Sequence, residues 1–114
     1  QKAKAAIMAG CLTLIKKYGI DSKEIHEVCL AGAFGNYLSV EQAQLIGLFP
    51  DIEGVPVRSI GNGAGTGVQM YLLDKGSVKK CNKVQANADH TELNFEEGFM
   101  DTYFDEMTFK NANF

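Results

Sequence analysis

Two clusters of glycine and asparagine are the residues in this sequence whose types and spacing best suit ligand chemistry. Gly32, Gly35 and Asn36 lie within LAGAFGNYL. Glycine has no Cβ atom, so a flat ring or a phosphate group can come close to the backbone at such positions. An asparagine amide both donates and accepts hydrogen bonds, which suits a ribose or a purine edge. The second cluster, GNGAGTG, contributes Gly61, Asn62, Gly63, Gly65 and Gly67.

These clusters do not match the familiar phosphate-binding motifs. The pattern GxGxxG fails because Gly61 and Gly63 are followed by Thr66, and no lysine follows a glycine at the offset of a P-loop. An ordinary dinucleotide-binding fold is therefore disfavoured. Two interpretations stay open at this point. Either the glycines line a ligand site, or they only let a helix pack tightly on a strand.

Composition limits the class of protein. A chain of 114 residues with 46% hydrophobic content is the size of one domain, and the helical pattern that begins at Gln1 suggests a piece of a longer protein. A net charge of −3 gives no general electrostatic reason to bind nucleic acid or an anionic membrane. Three cysteines without a CxxC pattern favour a reducing, cytoplasmic compartment. We expect Cys11 and Cys29 to be buried and Cys81 to be exposed.

The hydrophobic pattern predicts helices that alternate with short strands. Apolar residues recur at helical spacing near the start of the chain, at Ala3, Ile7, Cys11, Leu14 and Tyr18. The predicted elements are a helix over Lys2–Tyr18 ended by Gly19, a turn capped by Asp21 and Glu24, a strand over Glu27–Ala31 buried on both faces, a helix over Val40–Ile46 opened by Ser39 and Gln42, a strand over Val57–Ile60, and a helix that includes VQMYLLD. Two short strands joined through a helix imply a parallel pair.

The topology places the two glycine clusters together. Loops that leave the carboxyl ends of parallel strands lie at one edge of the sheet, where ligands of α/β proteins bind. Each glycine-rich loop also leads into a helix, whose first amides and dipole favour anionic groups. We therefore expect one ligand site that draws on both loops.

The last third of the chain predicts a third strand and two more helices. The segment Asp89–Asn94 has the pattern of a polar edge strand. The helix after it has one broad apolar side, formed by Phe95, Phe99, Tyr103, Phe104 and Met107. That side is either a core face or a docking surface for a partner or a second copy. The helix before the strand carries Lys75, Lys79, Lys80 and Lys83 on what we expect to be a solvated face.

The chain also resembles a known family. The segments QKAKAAIMAG, EVCLAGAFGNYLSVEQAQLIGLFP, VRSIGNGAGTGVQMYLL and FEEGFMDTYFDEMTF closely resemble the C-terminal domain of the reductive activators of corrinoid proteins. The resemblance spans nearly the whole chain. It implies a partial ribonuclease H-like α/β fold, in which short parallel strands alternate with helices and a C-terminal strand and helix follow.

The resemblance also implies a function. In the superfamily of actin, sugar kinases and heat-shock chaperone ATPases, a strand-to-loop segment of small residues forms the adenosine motif. The resemblance assigns Gly32, Ala33, Gly35 and Asn36 to the ribose and adenine of ATP or ADP. The neighbouring segment Gly61–Gly65 would close the pocket.

The corresponding whole proteins carry parts that this chain does not contain. A [2Fe–2S] ferredoxin domain lies near their N-terminus, and the phosphate hairpins and the metal-binding aspartate lie in other lobes. We therefore expect neither ATP hydrolysis nor electron transfer from this chain alone. The implied partners are a corrinoid protein or corrinoid methyltransferase, the remaining lobes of the same protein, and a possible second copy in a homodimer. The corrinoid protein could contact the four lysines. The alternative is a non-catalytic interaction or dimerisation module whose glycines serve packing only.

Overall fold

The structure is a computed structural model that describes residues 1–32 and 37–109. Five α-helices and two β-strands occur in these residues. They are α1 (Lys2–Lys17), β1 (Val28–Ala31), α2 (Val40–Leu45), β2 (Val57–Gly61), α3 (Gly63–Leu73), α4 (Lys75–Ala86) and α5 (Phe99–Asp105), with 3₁₀ turns at Ser22–Glu24 and Leu93–Phe95. Within the described ranges, no helix has both the length and the apolar character that crossing a bilayer requires.

β1 and β2 pair as a two-stranded parallel sheet. The Val28 N–H donates to the Pro56 carbonyl at 3.0 Å, and the Gly32 N–H donates to the Gly61 carbonyl at 2.7 Å. Both strands therefore advance in the same direction between these two bonds, as predicted. The order helix, strand, helix, strand, helix is confirmed as well.

Local capping chemistry explains where the helices and turns begin and end. Asp21 and Glu24 form the predicted reciprocal capping box around the first 3₁₀ turn. At the start of α2, the Ser39 hydroxyl accepts a hydrogen bond from the Gln42 backbone N–H at 3.4 Å. Gly19 and Gly47 follow α1 and α2 with φ of 61° and 72°, the left-handed conformation that favours glycine.

The contacts of the chain cluster into two compact units. The first unit comprises Gln1–Val28, Leu38–Arg58 and Glu92–Phe114, and the second comprises Cys29–Tyr37 and Ser59–Thr91. Within residues 1–32 and 37–109, the buried hydrophobic residues lie in the first unit, at Ala5, Ala9, Ala43, Leu48 and Phe49. Helices α3 and α4, which belong to the second unit, bury no residue.

The buried face of α1 differs from the predicted apolar stripe. Ala5, Ala9 and Thr13 are buried at a spacing of four residues, whereas Ile7 and Tyr18 remain 44% and 49% exposed. The small side chains of this face allow α5 and the segment around it to pack closely on α1. Because hydrophobicity alone ranks isoleucine above alanine, the sequence pattern selected the wrong face.

The C-terminal segment, residues 92–108, contacts α1 at three positions along the helix. Lys17 forms an ion pair with Glu96, and Gly10 packs against Leu93, whose Cδ1 would lie 3.2 Å from a Cβ atom at position 10. At the other end of α1, the buried Lys4 ammonium donates to the Glu106 carbonyl at 2.7 Å, to Glu106 Oε2 at 3.2 Å and to the Thr108 carbonyl at 3.1 Å. All three ammonium protons therefore have an acceptor.

Three other expectations are corrected by the structure. Cys29 is exposed and β1 alternates between half-buried and exposed residues, because the described residues cover one face of the strand rather than both. No strand forms over Asp89–Asn94, because its polar residues have low strand propensity and its last two residues belong to the 3₁₀ turn at Leu93–Phe95. Helix α5 begins at Phe99, later than predicted, and Gly98 precedes it with φ 79°. Phe95 therefore lies outside the helix and is 80% exposed.

The other two cysteines lie close to where they were expected. Cys11 is half-buried, and its desolvation raises the pKa of its thiol, although a backbone hydrogen bond opposes this shift. This thiol therefore stays protonated at neutral pH. Cys81 is exposed, as expected.

Removal of the Lys4 ammonium tests the attachment of α1 to the C-terminal segment. Lys4→Met keeps the aliphatic stem but takes a buried positive charge away from Glu106, so we expect a loss of about 3 kcal/mol in the free energy of unfolding. Lys2→Met, at an exposed position of the same helix, is the matched control and should change stability by less than about 0.5 kcal/mol. Urea unfolding followed by circular dichroism measures both. Equal effects of the two substitutions would contradict the assigned role of Lys4.

The cap of α4 should depend on pH. Hydrogen bonds from the Gly76 N–H and the Ser77 hydroxyl hold the pKa of Asp74 below its ordinary value of 3.8. The stabilisation is therefore complete above that value and is lost as the pH falls through the lower pKa of the folded state. Carboxylate carbon shifts measured between pH 6 and 2 should show an Asp74 midpoint below 3.8. The protection of the α4 amides, taken relative to the intrinsic exchange rate at each pH, should fall as the pH is lowered over the same range, and Asp74→Asn, which keeps a capping side chain, should remove this dependence.

Candidate functional site

The carboxyl ends of β1 and β2 bring the two glycine clusters together. The Gly32 N–H donates to the Gly61 carbonyl at 2.7 Å, and both residues have positive φ, at 89° and 61°. A side chain at either position would strain the backbone. The two residues thus form a fixed, narrow edge at the end of the sheet, as the parallel topology predicted.

The second glycine cluster is mostly helix rather than loop. We expected GNGAGTG to be a loop, but Gly61 belongs to β2 and α3 begins at Gly63, so only Asn62 separates the strand from the helix. The reason is the side chain of Asn62, whose Oδ1 accepts a hydrogen bond from the Gly65 N–H at 2.9 Å. This N-cap stabilises helical geometry over residues whose own helix propensity is poor.

Asn62 therefore has a structural role that the sequence analysis missed. Its predicted ligand contact would come from the amide nitrogen, because the carbonyl oxygen of the side chain caps the helix. The signal was present in the sequence. An asparagine directly after a predicted strand, at the start of a helical pattern, is a typical N-cap.

The glycines of this cluster differ in whether a neighbouring atom leaves room for a Cβ atom. A Cβ atom at Gly65 would lie 2.5 Å from Nδ2 and 2.9 Å from Cγ of Asn62, so the cap itself needs glycine there. At Gly63 the nearest atom, Cδ1 of Ile60, would be at 3.4 Å, which is ordinary contact, and at Gly67 nothing lies within 4 Å. Packing among the described residues thus requires glycine at neither of these two positions.

The structure brings together five of the eight predicted site residues. They are Gly32, Gly61, Asn62, Gly63 and Gly65. The other three, Ala33, Gly35 and Asn36, lie outside the described residues, and their predicted roles are untested.

The arrangement suits an anionic group bound by the backbone. The first amides of a helix have no intrahelical acceptor, and the positive end of the helix dipole adds to their attraction for anions. The eleven residues of α3 include no acidic side chain that would oppose an anion. Missing Cβ atoms at Gly61 and Gly63 leave these amides open to close approach.

The histidines take no part in this arrangement. His26 lines a surface cavity of about 510 Å³ in the first unit, together with Lys23, Glu53 and Gly54. His90 is exposed in the second unit. Neither residue belongs to a cluster of three or more potential metal ligands within residues 1–32 and 37–109.

Comparison with known proteins identifies the family. A family model described as the C-terminal domain of RACo, the ASKHA domain, matches residues 1–114. The chain belongs to this family. It is also similar to a curated protein, the corrinoid activation enzyme RamQ of Eubacterium limosum, at 54% identity over 103 residues. The match covers 90% of this chain but 17% of the length of that relative.

These matches confirm two of the expectations from sequence. The resemblance to the C-terminal domain of corrinoid-protein activators is confirmed, and so is the ribonuclease H-like α/β class, because the ASKHA domain has that fold. The matched family also supports nucleotide binding in general.

A double-mutant cycle tests the coupling between Asn62 and Gly65. In the natural sequence, Gly65→Ala should change stability by less than about 0.5 kcal/mol, because the lost cap offsets the gain in helix propensity. In the Asn62→Ala background no cap remains to lose, so Gly65→Ala should stabilise by about 0.5 to 1 kcal/mol. Gly67→Ala is the control and should stabilise both backgrounds equally. Urea unfolding measures all variants, and equal effects of Gly65→Ala in both backgrounds would mean that its Cβ does not displace the cap.

Proposed function

We propose that this domain supplies the adenosine side of an ATP or ADP site in an ATP-dependent reductive activator of corrinoid methyltransferase proteins. The observation that carries the proposal is the junction of Gly32 and Gly61 at the carboxyl ends of two parallel strands, directly before the capped helix α3. Membership in the RACo C-terminal family and the similarity to RamQ support the choice of activator.

The proposal assigns roles to the individual site residues. Gly32, Ala33, Gly35 and Asn36 approach the ribose and adenine, and Asn36 supplies a hydrogen-bonding side chain. The segment Gly61–Gly65 closes the pocket from the neighbouring strand and offers the first amides of α3. Asn62 orients these amides through its cap.

The rest of the activator supplies the other half of the chemistry. Other lobes of the polypeptide would supply the phosphate hairpins and the metal-binding aspartate, and a [2Fe–2S] domain would supply the low-potential electron. Nucleotide binding across two lobes would favour their closed form, and the difference in affinity between open and closed forms would drive docking and release of the corrinoid partner. This domain alone would neither hydrolyse ATP nor transfer electrons, and the whole protein would act in the cytoplasm.

A non-catalytic module with glycines that serve packing only is the competing function. It predicts that each glycine meets a neighbouring group that a Cβ atom would displace. Gly67 has open space around it, and Gly63 has ordinary contact distance. These two residues favour the ligand site.

Amide NMR titration of this chain with ADP, and separately with an unhydrolysable ATP analogue, tests the proposal. A half-site should bind with a dissociation constant near 1 mM, about −4 kcal/mol, with shifts concentrated on residues 32–36 and 61–65. Asn36→Ala removes one hydrogen-bonding side chain and should weaken binding about tenfold, equivalent to about 1.4 kcal/mol. Asn82→Ala on the exposed face of α4 is the matched control and should leave affinity unchanged.

A second variant separates ligand binding from stability. Asn62→Asp keeps an N-cap and should keep the stability of α3, but it places a carboxylate where the nucleotide binds and should abolish the shifts. Shifts scattered over the chain, or equal affinities for Asn36→Ala and Asn82→Ala, would sink the site assignment. Altered stability or oligomeric state without altered affinity would favour the packing module.

A further inference from the structure

Helix α4 presents a concentrated positive surface. Lys75, Lys79 and Lys83 follow one another at a spacing of four residues, so they lie along one side of the helix, and Lys80 adds a fourth charge beside them. All four are exposed. The row from Lys75 to Lys83 is about 12 Å long at the usual helical rise. We call these four residues the lysine row.

No ion pair within residues 1–32 and 37–109 neutralises this charge. The ion pairs found in residues 1–32 and 37–109 involve Lys4, Lys17 and Arg58, and none involves the lysine row. Helix α3, which packs against α4, has no charged side chain. Asp74, which directly precedes Lys75, attracts Lys80, but its carboxylate already accepts hydrogen bonds from the Gly76 N–H and the Ser77 hydroxyl.

An apolar patch adjoins the lysine row. Leu72 and Leu73, at the end of α3, are 75% and 87% exposed, and one residue separates Leu73 from Lys75. Apolar groups beside charged ones are typical of protein–protein interfaces, whose centres are apolar and whose rims are polar. The spacing of the charges matches a row of carboxylates better than a single phosphate.

We propose that the lysine row is a docking surface for an acidic protein segment. The chain as a whole is acidic, with a net charge of −3, so a long polyanion such as nucleic acid would be repelled beyond this helix. Helix α4 contains no Trp, Phe or Leu on any side, the residues with which amphipathic helices enter a membrane. A short acidic segment of a partner protein avoids both difficulties, and its carboxylates would pair with the lysines while its apolar residues contact Leu72 and Leu73.

A titration with a decaglutamate peptide, followed by amide NMR, tests the docking surface. We expect shifts confined to residues 72–86 and an affinity that falls at least tenfold between 50 and 300 mM NaCl, because screening weakens exposed ion pairs. Lys79→Glu/Lys83→Glu should lower the affinity at least tenfold. Lys2→Glu/Lys23→Glu makes the same change in net charge at two exposed lysines elsewhere and should retain the affinity. Glutamate is a good helix former, and circular dichroism should show unchanged helix content in both variants.

Three results would overturn the proposal. Equal losses in the two double variants would show attraction by net charge alone. Tighter binding of a decathymidylate than of decaglutamate would assign the surface to nucleic acid. Self-association that disappears in Lys79→Glu/Lys83→Glu would assign it to a second copy, whose segment 89–106 carries acidic residues and no lysine or arginine.

Discussion

The burial of one positive charge organises the first unit of this protein. The side chain of Lys4 is 6% exposed. Burial of its charge is tolerated only because three oxygen atoms of the C-terminal segment accept hydrogen bonds from the ammonium. The same side chain also limits which residue can occupy position 47. A Cβ atom at Gly47 would lie 3.1 Å from Lys4 Cε, in a backbone conformation that already favours glycine. One lysine thus fixes the start of α1, the end of α2 and the residues after α5.

The sequence predicted those parts of the fold that depend on neighbouring residues. Capping by Asp21 and Ser39, and the glycines after α1 and α2, act within a few residues, so their pattern is legible in the chain. The exposed face of β1 and the absence of pairing at 89–94 depend on which distant segments cover them. Burial of Lys4 runs against its usual preference for water, and no local pattern indicated it.

The sequence predicted which residue types form the site, but not the structural role of each residue. Parallel strands and glycines at their ends were enough to place Gly32 beside Gly61. The sequence did not distinguish a glycine required by backbone conformation, such as Gly32, from one required by a neighbouring side chain, such as Gly65. That distinction needs the position of the Asn62 amide, which follows from the helix that it starts.

The hydrogen bonds of Lys4 span 102 and 104 residues of a chain of 114, and this separation has a consequence for synthesis. During synthesis, α1 leaves the ribosome 102 residues before the Glu106 carbonyl that accepts from its ammonium. The alanine face of α1 therefore stays solvated until Glu106 has emerged, and closing so long a loop makes the first unit slow to fold. Nascent chains that stall before Glu106 would present an unprotected α1 to chaperones and proteases.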